Sequence, residues 1–297
     1  GDSEQTRGLL AALTPKVRDC EALGAQAVGN ALYGLQSMGD SEQTRGLVAA
    51  LTPKVRDCRE ALRAQHVGNA LYGLQRMGDS EQTRGLLAAL TPKVRDCEAL
   101  GAQAVGNALY GLQGMSDSEQ TRGLVAALIP KVRDCQALDA QAVGNALYGL
   151  RRMGDSEQTR GLLAALIPKV RDCEALGAQG VGNALYGLQG MGDSEQTRGL
   201  LAALTPKVRE CREALGAQDV CRVLYGLRRM GDSEQTRGLV AALTPKVQQC
   251  RDELEEHVVN QALSQLSDLG DSDEVRDLLL VFLAEGLDRA FRFRFSS

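Results

Sequence analysis

Three polar or aromatic side chains set one above another on a helix make a recognition face, and this chain writes such a set repeatedly. Gln26, Asn30 and Tyr33 stand at i, i+4 and i+7, which places them on one side of a helix. The set returns as Gln65, Asn69 and Tyr72, as Gln103, Asn107 and Tyr110, as Gln141, Asn145 and Tyr148, and as Gln179, Asn183 and Tyr186. A sixth copy puts Arg222 in the asparagine place before Tyr225. Amides that recur down a surface can read base edges, hold a peptide backbone, or satisfy carbonyls within their own turn. The tyrosines can stack bases, at roughly 1–3 kcal/mol per base, or pack between repeats. Beside the tyrosines, Arg76, Arg151, Arg152, Arg222, Arg228 and Arg229 make a basic strip, all but Arg76 in the second half of the chain. Such arginines suit phosphate contacts, and they also suit a helix C-terminus for its dipole alone.

Catalysis finds no support in the residue types. There are two histidines, His66 and His257, each a single replacement at a repeated position. No Gly-rich phosphate loop, nucleophile elbow or metal-spaced cluster is present, so no catalytic, cofactor or metal site is expected. Seven of the eight cysteines, Cys20, Cys58, Cys97, Cys135, Cys173, Cys211 and Cys250, fall once per repeat, without a Cys-x-x-Cys pair. That spacing predicts small buried hydrophobes in a reducing compartment rather than a disulfide frame or a zinc ladder. Asp19, Glu21 and Arg18 read as a solvated face.

The elements that must position the amide face follow from the period. Units begin at Gly1, Gly39, Gly78, Ser116, Gly154, Gly192 and Gly231, and an extra residue enters after Cys58, Cys211 and Cys250. A fixed period in the 20–50 residue range marks a stacked repeat array. The first half of a unit carries Thr6, Leu9, Leu10, Leu13 and Val17 at helical spacing, with Asp2 and Gln5 in the positions of a capping-box pair. Pro15 inside this stripe predicts a kink or break near Thr14. The second half carries Val28, Ala31, Leu32, Leu35 and Met38 on one stripe, predicting a helix from Ala25 to Met38 that ends on a left-handed Gly39. Gly29 and Gly34 each cost a helix interior about 1 kcal/mol against Ala, so a close neighbouring backbone is expected against them. Ala27, His66, Ala104, Ala142, Gly180 and Asp219 occupy one variable position, and variation is taken to mark freedom from packing.

The expected fold is all-α: a right-handed α-solenoid of about seven helical hairpins over residues 1–270, with a C-terminal half-repeat cap and Phe/Arg tail over 271–297. The alternation Phe291-Arg292-Phe293-Arg294-Phe295 leaves a strand, a partner contact or a frayed end open. The chain starts at Gly1 inside the pattern and reads as processed or truncated. Its hydrophobic share is 43%, its aromatic share 3%, and tryptophan is absent, so the core is built of Leu, Ala, Val and Met. No apolar run approaches the roughly 20 residues of a membrane span.

The period, the Leu-Thr-Pro-Lys-Val corner and the Ala-Gln-Ala-Val-Gly-Asn-Ala-Leu-Tyr-Gly-Leu-Gln helix resemble the octotricopeptide repeat over about residues 1–270. That resemblance implies paired helices in a superhelix, a chloroplast or mitochondrial setting, and binding of single-stranded RNA. The residues themselves point elsewhere for the partner. A net charge of −4, from 34 basic and 38 acidic residues, and near-identical repeats favour a non-catalytic scaffold for a protein partner, with single-stranded RNA the alternative.

Overall fold

A computed structural model describes residues 2–250, 254–266 and 269–295, with side chains as far as 284. Among them are fifteen α-helices and no strand. Long first helices alternate with short second ones: α1 Glu4–Asp19, α2 Ala25–Tyr33, α3 Glu42–Asp57, α4 Ala64–Tyr72, α5 Glu81–Asp96, α6 Ala102–Tyr110, α7 Glu119–Asp134, α8 Ala140–Tyr148, α9 Glu157–Asp172, α10 Ala178–Tyr186, α11 Glu195–Glu210, α12 Ala217–Leu227, α13 Glu234–Cys250 and α14 Glu256–Leu266. Each helix packs chiefly on the one two places along, so the odd helices form one layer and the even helices another. This is an α-solenoid, and one continuous Leu/Val/Ala/Met core runs between the layers. α15, Asp273–Phe295, takes the place of an eighth long helix, packing on α13 and α14 with Val275, Leu278 and Phe282 buried. Its helical backbone rules out a strand for the Phe/Arg tail, whose side chains lie outside the described residues.

Local signals in the sequence were partly misassigned. Ser3, not Asp2, caps α1: its hydroxyl accepts from the Thr6 N–H at 3.2 Å and pairs with the Thr6 hydroxyl at 2.9 Å. Asp2 is instead free to meet Arg7 at 3.4 Å, a pairing repeated at each long-helix start through Asp271–Arg276. Pro15 does not end the helix. α1 and its equivalents run unbroken through the proline, because each interior long helix is held by a neighbour on both sides and that packing outweighs the lost donor. The short helices α2, α4, α6, α8 and α10 stop at the tyrosine rather than at the equivalent of Met38, tightening into a 3₁₀ turn over Gly34–Ser37 in the first repeat, and α12 runs on to Leu227. Gly39 is not left-handed; among the described residues only Gly270 has positive φ. A Cβ at 39 would lie 2.6 Å from the Asp2 carboxylate, a side-chain end that can shift, and the fourth repeat carries Ser116 at the equivalent place.

The two glycines do meet neighbouring backbone, in opposite directions, one inside the short helix and the other as its C-cap. A Cβ on Gly68 would sit 3.0 Å from Ala104 Cα of the next repeat, and one on Gly73 would sit 1.9 Å from the Leu32 carbonyl oxygen of the previous repeat. Gly34 itself meets nothing, having no earlier repeat against it. The variable position is therefore a packing position: His66, Ala104, Ala142, Gly180 and Asp219 are the residues that the preceding glycine touches.

A second inter-repeat device is a lysine ladder. Lys54 reaches the carbonyls of Cys20 and Arg18 at the end of the preceding long helix. Lys93, Lys131, Lys169, Lys207 and Lys246 each reach the matching cysteine carbonyl one repeat back. An ammonium at a helix C-terminus meets both the orphan carbonyls and the negative end of the dipole. In two places the extra residue adds a further tie: Glu60 accepts from the Ala25 N–H and Glu213 from the Ala178 N–H, both at 2.8 Å, capping the short helix of the repeat before.

Two substitutions separate contact from propensity. Gly106→Ala, whose Cβ would lie 2.9 Å from Ala142 Cα, is expected to lower stability by about 1–3 kcal/mol. Gly85→Ala, inside α5 with nothing within 4 Å, is expected to raise it by about 0.5–1 kcal/mol. Urea denaturation of both variants checks the pair, and equal shifts would refute the close-approach account. Lys131→Met, which removes the bonds to Cys97 and Arg95 carbonyls, is expected to cost about 1.5–3 kcal/mol in the same assay; an unchanged midpoint would show that the ladder holds nothing.

Candidate binding surface

The short-helix layer carries the amide face. Gln26, Gln65, Gln103, Gln141 and Gln179 are exposed, while Asn69, Asn107, Asn145 and Asn183 are half-buried at the base of the grooves between successive short helices. One groove of about 430 Å³ is lined by Gln65, Asn69, Gln103 and Asn107. The next, of about 230 Å³, is lined by Gln103, Asn107, Gln141, Asn145 and Asp139. The side-chain amides of these asparagines and glutamines make no hydrogen bond to described residues, so they are not consumed in satisfying their own turns. The structure brings the asparagines and glutamines of adjacent repeats together as pairs of donors and acceptors facing one groove.

The tyrosines form a column. Tyr33, Tyr72, Tyr110, Tyr148, Tyr186 and Tyr225 follow one another with ring centroids 5.7–6.0 Å apart, the first four contacts stacked and the last tilted at 35°. Each ring face is thus turned to the next ring. Inserting a base between two rings needs about 7 Å, twice the roughly 3.4 Å rise of a stacked base. The column therefore belongs to inter-repeat packing, each contact adding about 0.5–1.5 kcal/mol beyond burial, and presents only edges and hydroxyls to a ligand.

The arginines divide into two kinds. Arg151 lies 4.7 Å over the Tyr148 ring, donates from Nε to the Gln113 carbonyl at 3.1 Å, and donates to the Tyr148 hydroxyl. Arg228 repeats this over Tyr225 at 4.2 Å, with Nε on the Gln189 carbonyl at 3.4 Å. Arg222 pairs with Asp219 at 3.5 Å and lines a groove of about 390 Å³ with Tyr186 and Tyr225. Arg76, Arg152 and Arg229 are exposed without such ties. The Arg–Tyr stacking was missed in the sequence; its signal was an arginine three residues after a tyrosine, at Arg151 and Arg228. The histidines have structural partners: His66 Nδ1 accepts from the Arg63 N–H at 3.3 Å at the start of α4, and His257 meets Glu255 at 3.2 Å.

The repeat cysteines line the core edge. Cys58, Cys97, Cys135, Cys173, Cys211 and Cys250 are buried, and Cys20 and Cys221 are half-buried. Cys58, Cys97, Cys135 and Cys211 donate to a carbonyl two residues on, and Cys173 and Cys250 to one three residues back. Burial pushes the Cys97, Cys173 and Cys221 thiols above the usual thiol range. Among the described residues no three His, Cys, Asp or Glu gather as a metal site, and no helix is long and apolar enough to cross a membrane.

No family model and no curated protein matches this chain. The solved structures similar to it include a computationally designed armadillo repeat protein for modular peptide recognition, 15% identical, covering 82% of this chain and 100% of that one at a TM-score of 0.39. An engineered protein, 16% identical, covers 96% of this chain and 75% of its own at 0.28. The pentatricopeptide repeat protein PPR10 in complex with an 18-nt psaJ RNA element, 11% identical, covers 96% of this chain and 64% of its own at 0.24. The chain is a helical-repeat protein. At these TM-scores that statement rests on its own two layers of helices.

The thiol environment has a measurable consequence. A raised folded-state pKa leaves stability intact below the unfolded thiol pKa of about 8.5 and erodes it as pH rises above that value, because the unfolded chain ionises first. Alkylation of the native protein with iodoacetamide near neutral pH is expected to label Cys97 and Cys173 more than about tenfold slower than the urea-unfolded chain, since only the thiolate reacts. Equal rates would contradict the burial described.

Proposed function

We propose that the short-helix face docks an extended segment of a protein partner, and that the chain is a non-catalytic scaffold within a larger assembly. The observation that carries this reading is the row of grooves in which asparagine and glutamine amides of adjacent repeats face outward without intramolecular partners. An amide offers a donor and an acceptor together, the complement of a peptide unit, and an extended peptide presents such units along its length. Regular amides with little net charge suit a main chain, whose recognition does not depend on the identity of each side chain.

A second reading is single-stranded RNA. The octotricopeptide resemblance supports it, as does an organellar setting, and Arg76, Arg152 and Arg229 are the residues it would use on phosphates. Against it stand the closed tyrosine column and the engagement of Arg151, Arg222 and Arg228 with Tyr148, Asp219 and Tyr225.

The test is selection of binders from a displayed random-peptide library, followed by affinity measurement on the wild type and on Asn107→Leu/Asn145→Leu/Asn183→Leu. Selected peptides are expected to bind the variant about tenfold more weakly or worse, from roughly 0.5–1.5 kcal/mol for each lost hydrogen bond. An RNA pool is expected to bind weakly at physiological salt. Tight RNA binding, with a salt slope of about −0.7 per neutralised phosphate and loss in Arg76→Gln/Arg152→Gln/Arg229→Gln, would overturn the peptide reading.

A further inference from the structure

Two sets of charged side chains are committed to each other or to the backbone. Asp117, Asp155 and Asp193 pair with Arg122, Arg160 and Arg198, and the lysines of the ladder hold carbonyls. One cleft gathers positive charge and has no acidic lining residue to spare for it. A cleft of about 650 Å³ spanning the fourth to sixth repeats is lined by Arg151, Arg152, Gln189, Gly190, Arg228 and Arg229. Its one acidic lining residue, Asp117, is already held by Arg122 at 3.3 Å. Four guanidinium groups thus face one cavity in a chain whose net charge is −4.

The cavity is built by alternation. At the residue before the methionine, successive repeats carry Arg76, Gly114, Arg152, Gly190 and Arg229. At Gly190 the backbone lies so close to the preceding repeat that a Cβ would fall 2.1 Å from the Met153 carbonyl oxygen. The glycine also leaves the middle of the cleft empty between two arginine pairs. Arg151 and Arg228 are held in place by the Tyr148 and Tyr225 rings and by carbonyls of the preceding repeat. Those contacts use only part of each guanidinium's five N–H donors, and the rest remain as fixed forks. Such forks match a carboxylate in two parallel hydrogen bonds.

We infer that this cleft is a carboxylate site that selects an acidic stretch in the docked polypeptide. The inference rests on the peptide reading of the short-helix face and adds the chemistry of the partner. A polynucleotide carries a charge at every residue and would call for cations along its whole path. Here four cations crowd one cleft while the groove lined by Gln65, Asn69, Gln103 and Asn107 is uncharged. A peptide with a local run of Asp or Glu carries its charge in the same uneven way.

The experiment measures binding of a Gly/Ser peptide with a central run of glutamates, the same peptide with glutamines, and an oligouridylate. The proteins are the wild type, Arg152→Gln/Arg229→Gln, Arg76→Gln, and the triple Asn→Leu variant. Arg152 and Arg229 are exposed, so their replacement leaves the fold alone. The glutamate peptide is expected to bind the wild type about tenfold or more tightly than the glutamine peptide, as charge-assisted bonds allow. That preference is expected to vanish in the double variant and to persist in Arg76→Gln, which lies outside the cleft. Equal affinity for the two peptides in the wild type, or a preference that survives the double variant, overturns the carboxylate site. Oligouridylate binding that exceeds both peptides and is lost in the double variant also overturns it, in favour of phosphate. The two readings fail separately. If the triple Asn→Leu variant weakens both peptides equally, the docking face stands whatever the arginines do. If it weakens neither while the double variant erases the preference, the cleft stands and the amide face falls.

Discussion

Close approach of the short helices is the constraint on which the rest of the molecule depends. Gly68 against Ala104 on one side and Gly73 against the Leu32 carbonyl on the other leave no room for a β-carbon in either direction. A glycine inside a nine-residue helix is expensive in propensity, and the packing that Gly68 and the C-cap Gly73 permit offsets that cost. Because these helices lie so near, consecutive tyrosines fall within ring-contact distance at 5.7–6.0 Å. For the same reason consecutive asparagines share one groove instead of standing on separate ridges. The proposed binding face is thus a by-product of how the glycines set the repeat spacing.

Much of this was legible before the coordinates. The period, the two helices per unit, the buried stripes through Val67, Ala70, Leu71, Leu74 and Met77, and the close neighbour expected against Gly29 all follow from residue type and spacing. What was not legible depends on the repeat next door. Asp2 looks like a cap until Arg7 and Gly39 are seen to occupy it. Pro15 looks like a break because propensity is local, whereas the helix around it is held by α3 and its interior equivalents by neighbours on both sides. The variable position looked free because its residues differ, yet any Cα satisfies a neighbouring glycine, so packing there constrains backbone and not side chain. The lysine ladder was hidden in plain repetition: Lys54 and its equivalents stood inside the corner motif, but the carbonyl each one holds lies one repeat back.

The tyrosines show how an apparent ligand feature becomes structural. A ladder of aromatic rings at repeat spacing is what base stacking would need, and composition alone leaves both roles open. The ring separation decides between them, since a column that already stacks on itself has no slot to offer. Arg151 and Arg228 then extend the column by stacking over its rings, and in doing so they become rigid. Rigid cations at the edge of a cleft lose little conformational freedom when an anion arrives, so the same contacts that remove them from a flexible phosphate-gripping role make them good fixed donors.

Uniformity limits what an array of this kind can discriminate. Where every repeat presents the same amides, every register of a bound main chain is equivalent, and a partner would slide. Something must break the equivalence for one register to be preferred. The charged ladders do not, because Asp–Arg pairs and lysine–carbonyl contacts recur in every unit and are spent on the fold. His66 and Asp219 do not, because each reaches back to the N–H at the start of its own helix. The arginines that alternate with Gly114 and Gly190, doubled at Arg151–Arg152 and Arg228–Arg229, are a departure from the repeat that faces the grooves and is left with donors to spare. In a repetitive scaffold, register is set where repetition stops.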